Sequence, residues 1–313
     1  MHIPTVLGVD VGGTNIRLAV VNAQGEIGER VNRQAELSRL NGEDAAQHVL
    51  DTLSNAILPL LEKHPEITAI GIGFPGFFDC KTGYMIASPN IPGLRDFPLG
   101  DALHQQLKRS VHVQNDASLA ALGEFRFGAV QGLNALLHLT LGTGIGGGAV
   151  INQQLYTGDG GMAMEIGHLQ IAPADKTCGC GRSGCLETWA SASAVAKRFN
   201  EKSDQPATAQ EICRLADQGN VQALDVLHTA GMYLGMGIAE AVKLFDIRHV
   251  SISGGLTGAW AHISKPIKQA LDAHLIPPLC GKVQVFRSSR GDDAGILGAA
   301  ALALDSEAQP NQP

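Results

Sequence analysis

A chain of 313 residues that is 44% hydrophobic exceeds one ordinary domain and can bury substantial cores, so two lobes are the expectation. Its net charge of −7 gives no basic field, which argues against nucleic acid or an anionic membrane surface as partner. With no run of ~18 apolar residues and no leader-like opening, the reading is a soluble, cytoplasmic protein that acts on small molecules.

In chain order, residues 6–10 read as a buried strand, Gly12-Gly13-Thr14 as a tight turn, and 16–21 as the strand returning beside it. Residues 45–61 have helical apolar spacing, 67–74 are strand-like, 99–107 helical, and 111–114 a strand. Asn115-Asp116 then opens a helix over 117–125. Residues 136–141, a glycine turn over 142–148 and a strand over 149–151 repeat the opening pattern roughly 130 residues later, an offset too long for a solenoid and suited to two lobes of related architecture. Residues 193–199, 209–215 and 223–245 read as helices, 250–253 as a strand ending in Gly254-Gly255, and 283–286 as another strand. A closing apolar helix covers 294–304, and the end beyond Asp305 is expected to fray. Strands alternating with helices point to α/β lobes with mixed sheets.

Glycines at Gly12, Gly13, Gly142, Gly144 and Gly146 let main-chain N–H groups approach an anion closely, and Thr14 and Thr143 add hydroxyl donors. One such turn is equally an ordinary hairpin; two matched turns on two lobes can grip one nucleotide's phosphates from both sides. No lysine follows either turn, so this is not the GxxxxGK[ST] loop. Asp10, ending the first strand, can hold Mg2+ through water or cap the turn. Asp116 stands where a strand's C-terminal end meets a helix N-terminus, the place where open α/β sheets bind ligands, and is the candidate general base; its alternative role is a helix N-cap. Asn115, Glu165, His168 and Glu187 add the carboxylates and amides that a polyhydroxylated ligand needs for specificity.

Cys178, Cys180 and Cys185, spaced by glycines, can present three sulfurs to one zinc ion, with His168 the nearest plausible fourth ligand. Three thiols cannot pair off among themselves, so a disulfide framework explains them poorly; the alternative is a chance run of cysteines in a loop. A closed four-ligand site makes the metal structural, pinning the loop that carries Glu165 and Glu187. Cys80, Cys213 and Cys280 are scattered and receive no role.

These residues together resemble the ROK family of repressors and sugar kinases, within the actin-like, hexokinase-type ATPase superfamily. The resemblance runs from about Leu7 to Leu304 and rests on Asp10-Val-Gly-Gly-Thr-Asn15, Gly73-Phe-Pro-Gly76, Asn115-Asp116-Ala117, Leu141-Gly-Thr-Gly-Ile-Gly-Gly-Gly148, Glu165-Ile-Gly-His168, the three-cysteine loop, Glu187-x3-Ser191 and Gly254-Gly255. It implies two actin-like (ribonuclease H-like) lobes with an interlobe cleft: 1–117 completed by 294–313, and 118–293 carrying the zinc loop and a dimer surface. It further implies ATP- and Mg2+-dependent phosphorylation of a hexose, with Asp116 as base and Gly76, Asn90, Asn115, Glu165, His168 and Glu187 at the sugar. Asp10, Gly12 to Asn15 and Gly142 to Gly148 would serve the phosphates and Gly255 the adenosine, while His168 binds zinc through its other ring nitrogen. A homodimer or dimer of dimers is implied as well.

Two positions depart from the family pattern: Met164, where glycine often precedes the glutamate, and Ser253, where many members carry the first of three glycines. The first bears on pocket size and the second on the nucleoside wall. Family repressors carry an additional N-terminal DNA-binding segment, and a first strand beginning by Thr5 leaves no room for one, so a kinase is expected over a regulator. Residues 115–124 and the zinc loop look most like bacterial glucokinase members. Kinases for N-acetylglucosamine, N-acetylmannosamine, fructose or allose share nearly all the same polar residues, and a non-catalytic, sugar-sensing protein is the rival of a different class.

Overall fold

The computed structural model describes residues 4–37, 40, 44–79, 82–91, 93–129 and 132–308; Cys80 and the last part of the end expected to fray, 309–313, lie outside them. The chain forms two compact units, Met1–Leu133 with Gln154–Ala163 and Asp292–Pro313, and Asn134–Gln153 with Met164–Gly291.

In the first unit, β1 (Thr5–Val11), β2 (Asn15–Asn22) and β3 (Ile27–Gln34) form an antiparallel meander. Helix α1 (Ala45–Lys63) leads to β4 (Ala69–Phe74), and a small sheet of β5 (Phe77–Phe78), β6 (Met85–Ala87) and β7 (Arg95–Phe97) precedes α2 (Leu99–Leu107). Then come β8 (Ser110–Asn115) and α3 (Asp116–Phe127). The main sheet has the order β3-β2-β1-β4-β8, with β1, β4 and β8 parallel. Every residue of β4 is buried, as a central parallel strand covered on both faces requires.

Leu7 and Val9 of β1 face a core shared with Val49, Leu53 and Ile57 of α1 and Leu103 of α2. Strand alternation turns Gly8 to the other face. There the closing helix, labelled α9 (Ala294–Ala308) in chain order, lies so close that a Cβ on Gly71 would overlap the carbonyl of Ala299. The same tight approach joins α3 to α9, since a Cβ on Gly298 would overlap the carbonyl of Leu119. The 117/118 boundary expected from the sequence would cut α3, which this packing keeps whole in the first unit.

In the second unit, β9 (Ala135–Leu141) and β10 (Ile145–Ile151) form an antiparallel hairpin. The short β11 (Gln154–Leu155) belongs to the first unit's residues. Helices α4 (Glu187–Ala190), α5 (Ala192–Asn200), α6 (Ala209–Asp217) and α7 (Val221–Phe245) precede β12 (His249–Ser253), α8 (Trp260–His274) and β13 (Gln284–Arg287). Within this unit the sheet strands run β10-β9-β12-β13, with β9, β12 and β13 parallel. Leu137, Leu139, Val250 and Ile252 pack against Leu234, Ile238 and Val242 of α7 and Ile263 and Ile267 of α8.

The elements read from the sequence match the structure to within a few residues except at the second glycine turn, while β3, α8 and the short β5, β6, β7, β11 and α4 have no counterpart in that reading. The second glycine turn is only 142–144, because Gly146 and Gly148 pair with Thr140 and His138 in the β9–β10 ladder. Strand β3 escapes notice because its apolar positions are few and Arg30, Asn32, Arg33 and Gln34 leave it largely exposed. Helix α8 escapes because Pro266 lies inside it, and a proline ordinarily argues against a helix interior. At the C-terminal end, α9 continues past Leu304 to Ala308.

Candidate active site

In the first unit the parallel strands β1, β4 and β8 deliver their C-terminal ends to one edge. The register pairs Asp10 with Gly73, and Gly73 and Phe74 with Gln114 and Asn115. A Cβ on Gly73 would stand 3.5 Å from the Asp116 Cα and 3.7 Å from Asp10 Oδ1, so Gly73 is the spacer flanked by both aspartates. The turn after β1 is closed by Gly12 N–H donating to Asn15 O at 2.8 Å, with Thr14 and Asn15 exposed.

Asn115, not Asp116, caps α3: its Oδ1 accepts from Ser118 N–H at 3.0 Å. Its Nδ2 donates to Gly76 O at 3.2 Å, tying β8 to the loop after β4. Asp116 is the first helical residue, half-buried, and its Oδ1 accepts from Ala117 N–H at 2.8 Å. A carboxylate here sits in the field of the helix N-terminus, which favours negative charge. Asn90 is exposed, and two residues before it the buried Ser88 hydroxyl donates to Pro75 O at 2.7 Å.

Asp10 is buried and its Oδ2 takes the Arg17 guanidinium at 2.6 Å. Burial pushes its carboxyl above the usual aspartate range, against the opposing pull of Arg17. Arg17 went unnoticed in the sequence, yet the signal was there: a hairpin turning at 12–15 pairs residue 10 with residue 17. As a magnesium site, Asp10 offers the single carboxylate that such sites commonly use, with Oδ1 the oxygen not engaged by Arg17.

In the second unit the turn 142–144 and the cysteine loop meet through Glu187 at the start of α4. Its Oε2 accepts Ile145 N–H at 2.9 Å and its Oε1 lies 3.6 Å from Cys178 Sγ. A Cβ on Gly144 would overlap this carboxylate, so the glycine is demanded by Glu187 itself. The turn is held further by Gly142 N–H to Gly144 O at 3.0 Å and by Ala192 N–H to Gly142 O at 2.9 Å. The main-chain groups of Ile145 and Ala192 carry no side-chain signature, so no motif signals their part.

The four candidate zinc ligands converge: one atom from each of His168, Cys178, Cys180 and Cys185 lies within 4.8 Å of the others. Sulfurs at ~2.3 Å and an imidazole nitrogen at ~2.0 Å from a tetrahedral ion stand ~3.8 and ~3.5 Å apart. Cys180 Sγ is 3.7 Å from Cys185 Sγ, and Cys178 Sγ is 3.5 Å from His168 Nδ1. The donor set therefore fits zinc. Burial pushes the Cys178 thiol up to about 12, so a cation is what would make it a thiolate. With Nδ1 turned to the sulfurs, His168 Nε2 lies 3.8 Å from Glu165 Oε2. Burial raises the Glu165 carboxyl, His168 draws it down, and Glu187 adds to the rise.

The two departures from the family pattern take different forms here. Met164 adopts φ +65°, a left-handed conformation that explains a glycine at this place better than pocket size does. Ser253 ends β12, directly before Gly254 at φ +91°, and Gly255 opens the 3-10 turn Gly255–Ala259.

The likeness to known proteins covers nearly all of the chain. A glucokinase of Halalkalibacterium halodurans is 36% identical, over 96% of this chain and 95% of its own. An N-acetyl-D-glucosamine kinase of Haemophilus influenzae is 31% identical, over 95% and 98%. Among solved structures, the ROK family glucokinase of Streptomyces griseus, in complex with glucose and AMPPNP, superposes with a TM-score of 0.84 at 32% identity, covering 96% of this chain and 99% of that one. The ROK family profile itself matches residues 6–306. Sequence motifs, mixed-sheet architecture and this continuous match agree, and the chain belongs to the ROK family.

Proposed function

We propose that this protein is an ATP-dependent hexose kinase, a glucokinase that converts glucose and ATP to glucose 6-phosphate and ADP. The observation that carries the reading is the division of labour at the start of α3. Asn115 is the residue that caps α3 through Ser118 N–H, and the adjacent Asp116 carboxylate, whose Oδ1 takes Ala117 N–H, stands beside Gly73 at the strand edge that also bears Asp10. Glucose as the substrate is supported by glucokinases at 36% and 33% identity over nearly the full chain.

Asp116 takes the proton of the attacking sugar hydroxyl as its oxygen approaches the γ-phosphorus. Asn115, Glu165, His168 and Glu187 hold the remaining hydroxyls, with Gly76 and Asn90 completing the substrate set. Gly12, Gly13, Thr14 and Asn15, with Gly142, Thr143, Gly144 and Gly146, line the phosphates, and Gly255 lies with the nucleoside. Because the phosphoryl transition state is loose, positioning and charge neutralisation supply most of the acceleration. Asp10 would hold Mg2+ through water; when bound, the ion neutralises phosphate oxygens. Zinc on His168, Cys178, Cys180 and Cys185 would fix the loop carrying Glu165 and Glu187, and the protein would work in the cytoplasm as a homodimer or dimer of dimers. Among the described residues no helix is long and apolar enough to cross a membrane.

A second reading, N-acetylglucosamine kinase, is favoured by the 31% identical relative of that activity. ADP release measured by a coupled assay over glucose, N-acetylglucosamine, N-acetylmannosamine, fructose and allose separates the two. Highest kcat/KM on glucose is expected. Release with none of these sugars would leave the non-catalytic, sugar-sensing alternative standing.

A further inference from the structure

His138, in the middle of β9, is fully buried, and the kinase chemistry gives it no task. Its Nδ1 is 2.7 Å from Ser251 Oγ and its Nε2 is 2.8 Å from Ser253 Oγ. Ser253 Oγ in turn donates to Thr140 Oγ1 at 3.4 Å. These four residues sit on one face of the parallel pair β9–β12, whose register sets Ser251 opposite His138 and Ser253 opposite Thr140. A neutral imidazole has one donor and one acceptor. With the Ser253 hydrogen directed to Thr140, Ser253 accepts from Nε2–H, and Nδ1 accepts from Ser251. The result is a one-way chain, Ser251 to His138 to Ser253 to Thr140, that crosses between the two strands and ends one residue before Leu141.

The strands it joins are the ones that deliver the two nucleotide-side segments. Beyond Thr140 the chain enters Leu141 and the 142–144 turn; beyond Ser253 it enters Gly254 and Gly255. The two exits touch: a Cβ on Gly254, which holds φ +91°, would overlap the Leu141 main chain. The spacing between the phosphate turn and the nucleoside segment is thus set at the Leu141–Gly254 contact, directly above the His138 chain. On the other side of the hairpin, Glu187 anchors Ile145 and the cysteine loop through separate bonds.

We infer that His138, Ser251, Ser253 and Thr140 are positioning residues for the nucleotide: they lock the ends of β9 and β12 at the spacing that ATP and ADP require, without touching the sugar. This rests on the kinase reading above. Serine at 253 is then a working replacement for the usual glycine, supplying a cross-strand bond that glycine cannot.

The test uses Ser253→Ala and Thr140→Val in the full chain, each removing one hydroxyl at nearly constant volume. ADP and glucose affinities are measured by calorimetry, and melting temperature is followed alongside. Loss of one buried hydrogen bond predicts about 3- to 10-fold weaker ADP binding in both variants, with glucose affinity within about two-fold of wild type. A role in stability alone would lower the melting temperature and move both ligands equally, or neither, and either result overturns the inference. Wild-type protein that binds ADP and phosphorylates glucose, with ADP affinity unchanged in both variants, sinks the positioning role and spares the kinase. Wild-type protein that binds no ADP and phosphorylates none of the sugars sinks both.

Discussion

The Glu187 carboxylate accepts the main-chain N–H of Ile145 at 2.9 Å, so a side chain at the start of α4 braces the strand that follows the second glycine turn. Glu187→Ala removes a charged acceptor and leaves that N–H without it, a loss of about 1.5–3 kcal/mol that corresponds to roughly 10- to 100-fold in affinity. The expected outcome is a raised KM for ATP as well as for sugar, with Glu187→Gln retaining much of the ATP side through its remaining carbonyl. Steady-state kinetics with each substrate varied would decide it; a Glu187→Ala enzyme with wild-type KM for ATP would show that the brace is idle.

Asp116→Asn preserves an oxygen for Ala117 N–H and leaves the Asn115 cap untouched, so the helix should form normally. It removes the base, and kcat is expected to fall by about 10²- to 10⁴-fold. Circular dichroism establishes the fold and single-turnover kinetics the loss. Near-normal turnover would refute the assignment.

Cys180 is the exposed member of the ligand cluster, so Cys180→Ser costs little packing. It should lose zinc, as read by elemental analysis, and with it glucose affinity, because His168 bridges from Cys178 to Glu165. A chelator should reproduce the loss in wild type. Stoichiometric zinc with undiminished affinity in the variant contradicts a four-ligand site.

Asp10 provides a pH test. Its folded carboxyl lies above the ordinary 3.8, chiefly through burial. The folded state therefore binds more protons than the unfolded one between 3.8 and the raised value, so this group's contribution to stability is fullest below 3.8 and is lost as pH rises through that window. Asp10→Asn abolishes the titration. Urea unfolding at a series of pH values should show wild type gaining on the variant as pH falls through the window, and a pH-independent difference would contradict the shift.

Met164 holds φ +65°, where a β-branched side chain is strained most. Met164→Val should cost about 1–3 kcal/mol in urea unfolding, and Met164→Gly should cost less despite losing a larger side chain. If valine is the better tolerated of the two, the backbone is not what disfavours side chains here.

Local periodicity and residue chemistry carry part of this fold on their own. The strands around Gly12 to Thr14 and Gly142 to Gly144, the helix after Asn115, and the cysteine spacing all follow from apolar alternation, glycine and capping preference over a few residues. Strand β3 and helix α8 stayed hidden because their local signals conflict with their state: charged residues fill an outer strand of the sheet, and Pro266 interrupts a helix held by packing at Gly231 and Gly235.

Long-range packing, by contrast, settles which of two neighbours caps α3, which main-chain N–H Glu187 holds, and why His138 is buried with two serines. Capping propensities of Asn and Asp are nearly equal; in the fold Asn115 is the cap, and its amide also donates to the Gly76 carbonyl, 39 residues away. Glu187 meets Ile145 across 42 residues of sequence, and His138 meets Ser251 across 113. Contacts at such separations are set by strand register and close helix packing, and no window of neighbouring residues contains them.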